Sequence, residues 1–172
     1  MNKKNSSGFS LLEIMLVLVL LGGVATLVIG ALPGQPALQQ HQQRLSAQLQ
    51  WANERAVQEG QVYGLAVAAR EWQLVKLVQT SDGGQPSYYW PGRYWQPVDN
   101  GRSAQLPPLP EGASLQLLLE GHELPLSSRL HDQGLEPRIL FMPGGEVSGF
   151  ELRLLAENQP PRIIAPEPGS VG

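Results

Sequence analysis

From Phe9 to Leu32 the chain runs for 24 residues with a single charge, Glu13. As a helix rising 1.5 Å per residue, this stretch is about 36 Å long, enough to cross a hydrocarbon core of about 30 Å. It exceeds the 7–15 residues of a signal-peptide core, and no A-x-A-like site ends it cleanly. Lys3 and Lys4 lie on the short flank before it. They are expected to hold the N-terminus in the cytoplasm and send the remainder across. The sequence therefore predicts a single-pass span over residues 9–32 with the rest of the chain in the periplasm.

Glu13 is the anomaly in that span. A carboxylate at the centre of a spanning helix costs about 2.5–3.5 kcal/mol on insertion scales, and less near an end. A plain anchor gains nothing from that cost, so an intramembrane acid is a functional candidate that needs a positive partner. If the chain is cut after Gly8, Phe9 becomes a new N-terminal amine and Glu13 lies four residues on, one helical turn away. The helix dipole favours an acid there, and the amine is a counter-charge in low dielectric. The pairing works within one helix. Between neighbouring helices it would also fix their axial stagger, because sliding strands a buried charge.

Gly8-Phe9-Ser10-Leu11-Leu12-Glu13 closely resembles the G-F-[ST]-L-x-E signature of type IV pilin and type II secretion pseudopilin precursors. The resemblance implies that residues 1–8 are a leader, that a prepilin peptidase cleaves between Gly8 and Phe9 and N-methylates Phe9, and that Glu13 mediates docking into a growing filament.

The remainder reads as one compact body. No cysteine is present, which excludes a disulfide framework, a thiolate metal site, a cysteine nucleophile and a lipidated cysteine. Apart from Lys3 and Lys4, ten Lys and Arg stand against fifteen Asp and Glu. A body of that balance repels phosphate backbones, so no nucleic acid is expected as a partner. Gly and Pro together make 34 of 172 residues, favouring short strands and turns. After a break at Pro33-Gly34-Gln35-Pro36, a helix is expected to continue to Glu59, with Gly60 as its cap. Leu38, Leu45, Leu49, Ala52 and Ala56 form its apolar stripe, which is expected to pack as core. Residues 33–60 are thus the periplasmic continuation of the N-terminal helix.

From Gln61 the period shifts towards strands. Val62–Val67 with Trp72–Val78, and Ser114–Leu119 with His122–Leu126, read as hairpins. Arg138–Met142 and Val147–Leu155 flank Pro143-Gly144-Gly145-Glu146, the clearest turn in the chain. The expected fold is α+β: a long N-terminal helix, membrane-spanning in its first half, then an antiparallel β-sandwich head over 61–165, with a disordered tail over 166–172. The sequence from Gln61-Val-Tyr-Gly through Leu109-Pro-Glu-Gly112 to Ile139-Leu-Phe-Met-Pro-Gly-Gly-Glu-Val147 resembles the H-type minor pseudopilin of type II secretion systems. That resemblance implies an inner-membrane structural subunit near the tip of a pseudopilus. Its partners would be the major G-type pseudopilin and the I-, J- and K-type minor pseudopilins. The rivals are a minor pilin of a type IV pilus and a signal-anchored periplasmic enzyme or binding domain.

No site for chemistry emerges. His41, His122 and His131 lack metal-ligand spacing, and Ser127-Ser128 lacks a nucleophile frame. No cofactor, metal or enzymatic activity is expected. The aromatic stretch Tyr88, Tyr89, Trp90, Tyr94 and Trp95 stays open between head core, a partner-contacting loop and a sugar-binding face. With Pro97, Pro107, Pro108 and Pro110, it is expected to belong to one irregular segment running to residue 112.

Overall fold

The computed structural model describes residues 10–30, 35–98 and 108–166, with the backbone alone for 21–30, 35 and 36. Gly8 and Phe9, residues 31–34, 99–107 and the tail from 167 lie outside the described residues. Two units divide the chain, Met1–Ala37 and Leu38–Gly172.

The first unit is helix α1, Leu11–Gly30. Ser10 starts it: its hydroxyl accepts the Leu12 N–H at 3.3 Å, and its carbonyl accepts the N–H groups of Glu13 and Ile14 at 2.9 and 3.2 Å. A serine is favoured there because it satisfies an amide that has no partner within the helix. Among the described residues, no helix is long and apolar enough to cross a membrane.

The second unit is built on helix α2, Gln35–Glu59. Leu38, Leu45, Leu49, Ala52 and Ala56 are all buried, as the spacing predicts. The helix stops at Gly60, whose φ of 63° lies in the left-handed region that glycine enters without strain. Among the described residues nine strands follow: β1 Tyr63–Val67, β2 Trp72–Val78, β3 Gln85–Pro86, β4 Tyr94–Pro97, β5 Ala113–Leu119, β6 His122–Leu124, β7 Ile139–Phe141, β8 Phe150–Ala156 and β9 Arg162–Ile164. A single-turn helix, α3, spans Leu130–Gln133. The strands form two antiparallel sheets, ordered β3-β4-β2-β1-β7 and β6-β5-β8-β9. This is the α+β class with antiparallel sheets that the sequence predicts.

One apolar cluster joins α2 to both sheets. It takes Leu45 and Leu49 from the helix, Leu65 and Leu74 from the first sheet, and Leu115, Leu117, Leu152 and Leu154 from the second. In the second sheet Leu117 faces Leu152 and Leu115 faces Leu154, while Gln116 opposite Arg153 and Leu118 opposite Glu151 share the other face. That is the alternation read from Phe150–Leu154 in the sequence.

Two features go beyond the sequence reading. The turn after Met142 does not return β7 onto β8. The Met142 and Gly145 N–H groups close it on the Glu146 and Met142 carbonyls, each at 2.9 Å, and Phe141 bridges Val147. Thereafter β8 enters the other sheet. The first sheet is also buried on both faces. Register puts Gly64, Ala66, Val75, Leu77 and Trp95 on the face away from Leu65 and Leu74. The segment after β6 covers that face where Pro137 lies over Gly64, and it is tied to the edge of β1 and to the β1–β2 turn. Leu130 N–H donates to Glu71 Oε1 at 2.7 Å, Gln133 Nε2 to the Val67 carbonyl at 2.6 Å, and Arg138 N–H to the Leu65 carbonyl at 3.0 Å.

Candidate functional site

The first turn of α1 carries the acid singled out in the sequence. Ser10 caps the helix and Glu13 lies in its first turn, where the positive end of the dipole favours a carboxylate. Every residue from Ser10 to Leu20 is exposed, among them Leu11, Leu12, Ile14, Met15, Val17 and Leu18. These residues point in all directions around the axis. A helix apolar all round is stable only inside an apolar surrounding, whether lipid or other helices.

The aromatic stretch divides between core and surface. Trp95 is fully buried on β4, and Tyr94, next to it on the same strand, is half-buried. Both therefore lie on a strand and not in an irregular segment, because pairing with β2 fixes them within the first sheet. Tyr88 and Tyr89 are 83% and 66% exposed. Between them and the core, Trp90 packs edge-on against Trp95 at 5.8 Å, while Tyr89 meets Trp90 at 6.5 Å and Tyr88 at 5.2 Å. The ring series runs from the interior to solvent.

The segment carrying Tyr88 and Trp90 is tied by a residue that sequence reasoning missed. Glu136 accepts the Ser87 hydroxyl on Oε1 at 3.0 Å and the Tyr88 N–H on Oε2 at 2.9 Å. Ser87 Oγ in turn accepts the Trp90 N–H at 3.2 Å. Ser87 and Glu136 are 49 residues apart, so no local pattern marks the pair. A carboxylate accepting both a hydroxyl and a backbone amide is a strong local tie.

Residues 41–165 match the family model for type II transport protein GspH. The chain belongs to the GspH family. Among relatives of this GspH-family chain, the type II secretion system protein H of Klebsiella pneumoniae is 34% identical over 152 residues, covering 86% of this chain and 85% of the relative. The protein of the same name from Aeromonas hydrophila is 30% identical over 173 residues, covering 95% and 88%. The crystal structure of the minor pseudopilin EpsH from the type II secretion system of Vibrio cholerae superposes with a TM-score of 0.51 at 22% identity. It covers 74% of this chain and 91% of that one, a likeness of fold.

The GspH match starts at His41, inside α2, and ends at Ala165, just beyond β9. It thus takes in the aromatic stretch and Glu136 but leaves out α1 and Glu13.

Proposed function

We propose that this chain is a minor structural subunit of the type II secretion pseudopilus, held in the inner membrane by residues 9–32 with its head in the periplasm. The observation that carries the reading is the pairing of a GspH-family head with a helix whose Leu11–Leu20 stretch is apolar on every side and bears one acid in its first turn. A secreted enzyme has no use for such a helix. A filament subunit needs it twice, first as a membrane anchor and then as packing material among neighbouring helices.

In this reading a prepilin peptidase removes residues 1–8 and methylates the new amine of Phe9. Glu13 meets that positive charge, on its own helix or on a neighbour, and so sets the axial position at which the subunit docks. The subunit sits near the filament tip with the other minor pseudopilins, above a shaft of the major one. Its work is mechanical: the assembly helps move folded proteins through the outer membrane, and no residue of this chain breaks or forms a bond.

Intact-mass measurement of the protein extracted from membranes tests the reading. The expected species begins at methylated Phe9; a mature chain still beginning at Met1 overturns it. For the docking step, Glu13→Val is expected to remain inserted and folded yet to cross-link poorly to the major subunit. Normal cross-linking would remove Glu13 from the mechanism.

A further inference from the structure

Beside the C-terminal end of α2 lies an open groove of about 670 Å³. Glu59 and Gln61 line it from the junction after the helix, Gln79 and Thr80 from the chain that follows β2, and Trp90 and Arg93 from the aromatic stretch. A tight turn joins the last two. The Arg93 N–H donates to the Trp90 carbonyl at 3.0 Å across Pro91-Gly92, and Gly92 has a φ of 78°, a left-handed conformation open to glycine. Ser87 fastens both ends of that turn. Its N–H donates to the Arg93 carbonyl at 2.9 Å, and its hydroxyl accepts the Trp90 N–H at 3.2 Å. Against the indole, at 5.8 Å, stands the fully buried Trp95. The aromatic wall and the backbone that carries the guanidinium are therefore in place before any ligand arrives, which lowers the ordering cost of binding.

Among the described residues, Glu59 and Arg93 are the charged members of this lining. Glu59 is already engaged by Arg55 at 3.0 Å and by the Tyr63 hydroxyl at 2.6 Å. Arg93 is exposed and, among the described residues, forms no ion pair. The groove thus keeps one uncompensated cation beside an indole, among the neutral hydrogen-bonding groups of Gln61, Gln79 and Thr80. It offers no sheet edge, because β2 is paired on both sides, with β1 and with β4. An extended peptide would lack the main-chain ladder by which strands are captured. The ligand that fits brings one apolar face, one negative charge and several separated hydroxyls.

We propose that this groove binds an acidic oligosaccharide. The C–H face of one sugar ring packs on the Trp90 indole, whose negative ring face attracts the slightly positive hydrogens. A sugar carboxylate meets the Arg93 guanidinium, a planar fork that matches it with two parallel hydrogen bonds. Gln61, Gln79 and Thr80 offer both donors and acceptors to the hydroxyls and so fix the register of the saccharide. The volume lies within the roughly 300–1,000 Å³ of small-ligand sites.

The test titrates the full chain in detergent micelles with two tetrasaccharides, one alternating glucuronic acid with N-acetylglucosamine and one of N-acetylglucosamine alone. Calorimetry is expected to show the acidic one binding about fivefold tighter, the scale of one partly exposed ion pair. Arg93→Gln should abolish that preference and leave the affinity for the neutral tetrasaccharide unchanged, since the exposed side chain supports no core. In nitrogen-15 spectra the Trp90 indole N–H signal, identified by its loss in Trp90→Phe, shifts on titration while those of Trp51 and Trp72 stay. Absence of binding, equal affinities, an acid preference that survives Arg93→Gln, or an unmoved Trp90 signal would overturn the proposal. So would equally tight binding of acetyl-Gly-Glu-Gly-Glu-amide, because the occupant would then be an acidic polypeptide.

Discussion

The Tyr63 hydroxyl donates a 2.6 Å hydrogen bond to Glu59 Oε2, tying the first residue of β1 to the last residue of α2 across Gly60. Glu59 is also paired with Arg55 at 3.0 Å, and the Arg55 guanidinium lies 5.5 Å from the Trp51 ring centre. Trp51 meets Tyr63 edge-on at 5.9 Å. Four side chains thus close a ring at the junction where the helix hands the chain to the first sheet, and they set the angle at which β1 leaves α2.

Burial first, then the bond to Glu59, raises the Tyr63 hydroxyl to about 12 from its usual 10. The folded state therefore holds this proton more tightly than the unfolded chain does. The stabilisation is complete below pH 10 and is lost as pH rises through 12. Tyr63→Phe is expected to lower stability near neutral pH by about 1 kcal/mol. It should also flatten the decline between pH 10 and 12, measured by denaturant unfolding across that range.

At the other end of the buried helical stripe, His41 packs edge-on against Trp72 at 6.1 Å, and Trp72 Nε1 donates to Gln48 Oε1 at 2.7 Å. Burial, and then the nearby Arg44, lower the His41 pKa below its usual 6.5. Here the sign reverses: the folded state disfavours the proton, so stability is full above pH 6.5 and falls as acid charges the imidazole. His41→Gln is expected to remove part of that acid sensitivity. Unfolding curves at pH 7.5 and pH 5 should converge for the variant and separate for the parent.

Glu136→Ala removes the acceptor of both the Ser87 hydroxyl and the Tyr88 amide. The expected cost is about 1–2 kcal/mol, reduced from the full value for charged acceptors by partial exposure. Hydrogen exchange should accelerate at residues 87–90 while β1 and β8 keep their protection. Equal acceleration throughout the head would show that the carboxylate supports the fold as a whole rather than the aromatic series.

Gly64 has no room for a side chain. A Cβ built there would lie 2.5 Å from Pro137 Cβ and 2.6 Å from Pro137 Cγ, and a proline ring cannot swing aside. Gly64→Ala is expected to destabilise by about 1–3 kcal/mol through overpacking. Gly64→Ala combined with Pro137→Gly should recover part of the loss, because glycine carries neither the Cβ nor the Cγ that obstructs the new methyl; thermal melts of the three variants measure this.

Much of the architecture could be read along the chain because it depends on neighbours in sequence. The stripe from Leu38 to Ala56 declares a helix face by its spacing. The first two hairpins declare themselves by apolar runs around Arg70-Glu71 and Glu120-Gly121, and the structure has both as antiparallel pairs. The short strands β3 and β9 carry no such signal. A strand of two or three residues has too few positions to establish a period, so its partner decides its conformation. Tyr94 and Trp95 were hidden in a proline-rich stretch for the same reason: β2 makes them a strand.

What the sequence determined by itself is local and periodic: one long apolar run interrupted by Glu13, one amphipathic helix face, and the turns that separate strands. These are set by residues a few positions apart, where spacing alone fixes which side chains share a face. Only the tertiary structure decided that β7 and β8 belong to different sheets, that Trp95 lies in the interior while Tyr88 meets solvent, and that Glu136 reaches back to hold Ser87. Those outcomes depend on contacts between distant segments, which form only once burial of the shared core has offset the entropy of bringing the segments together.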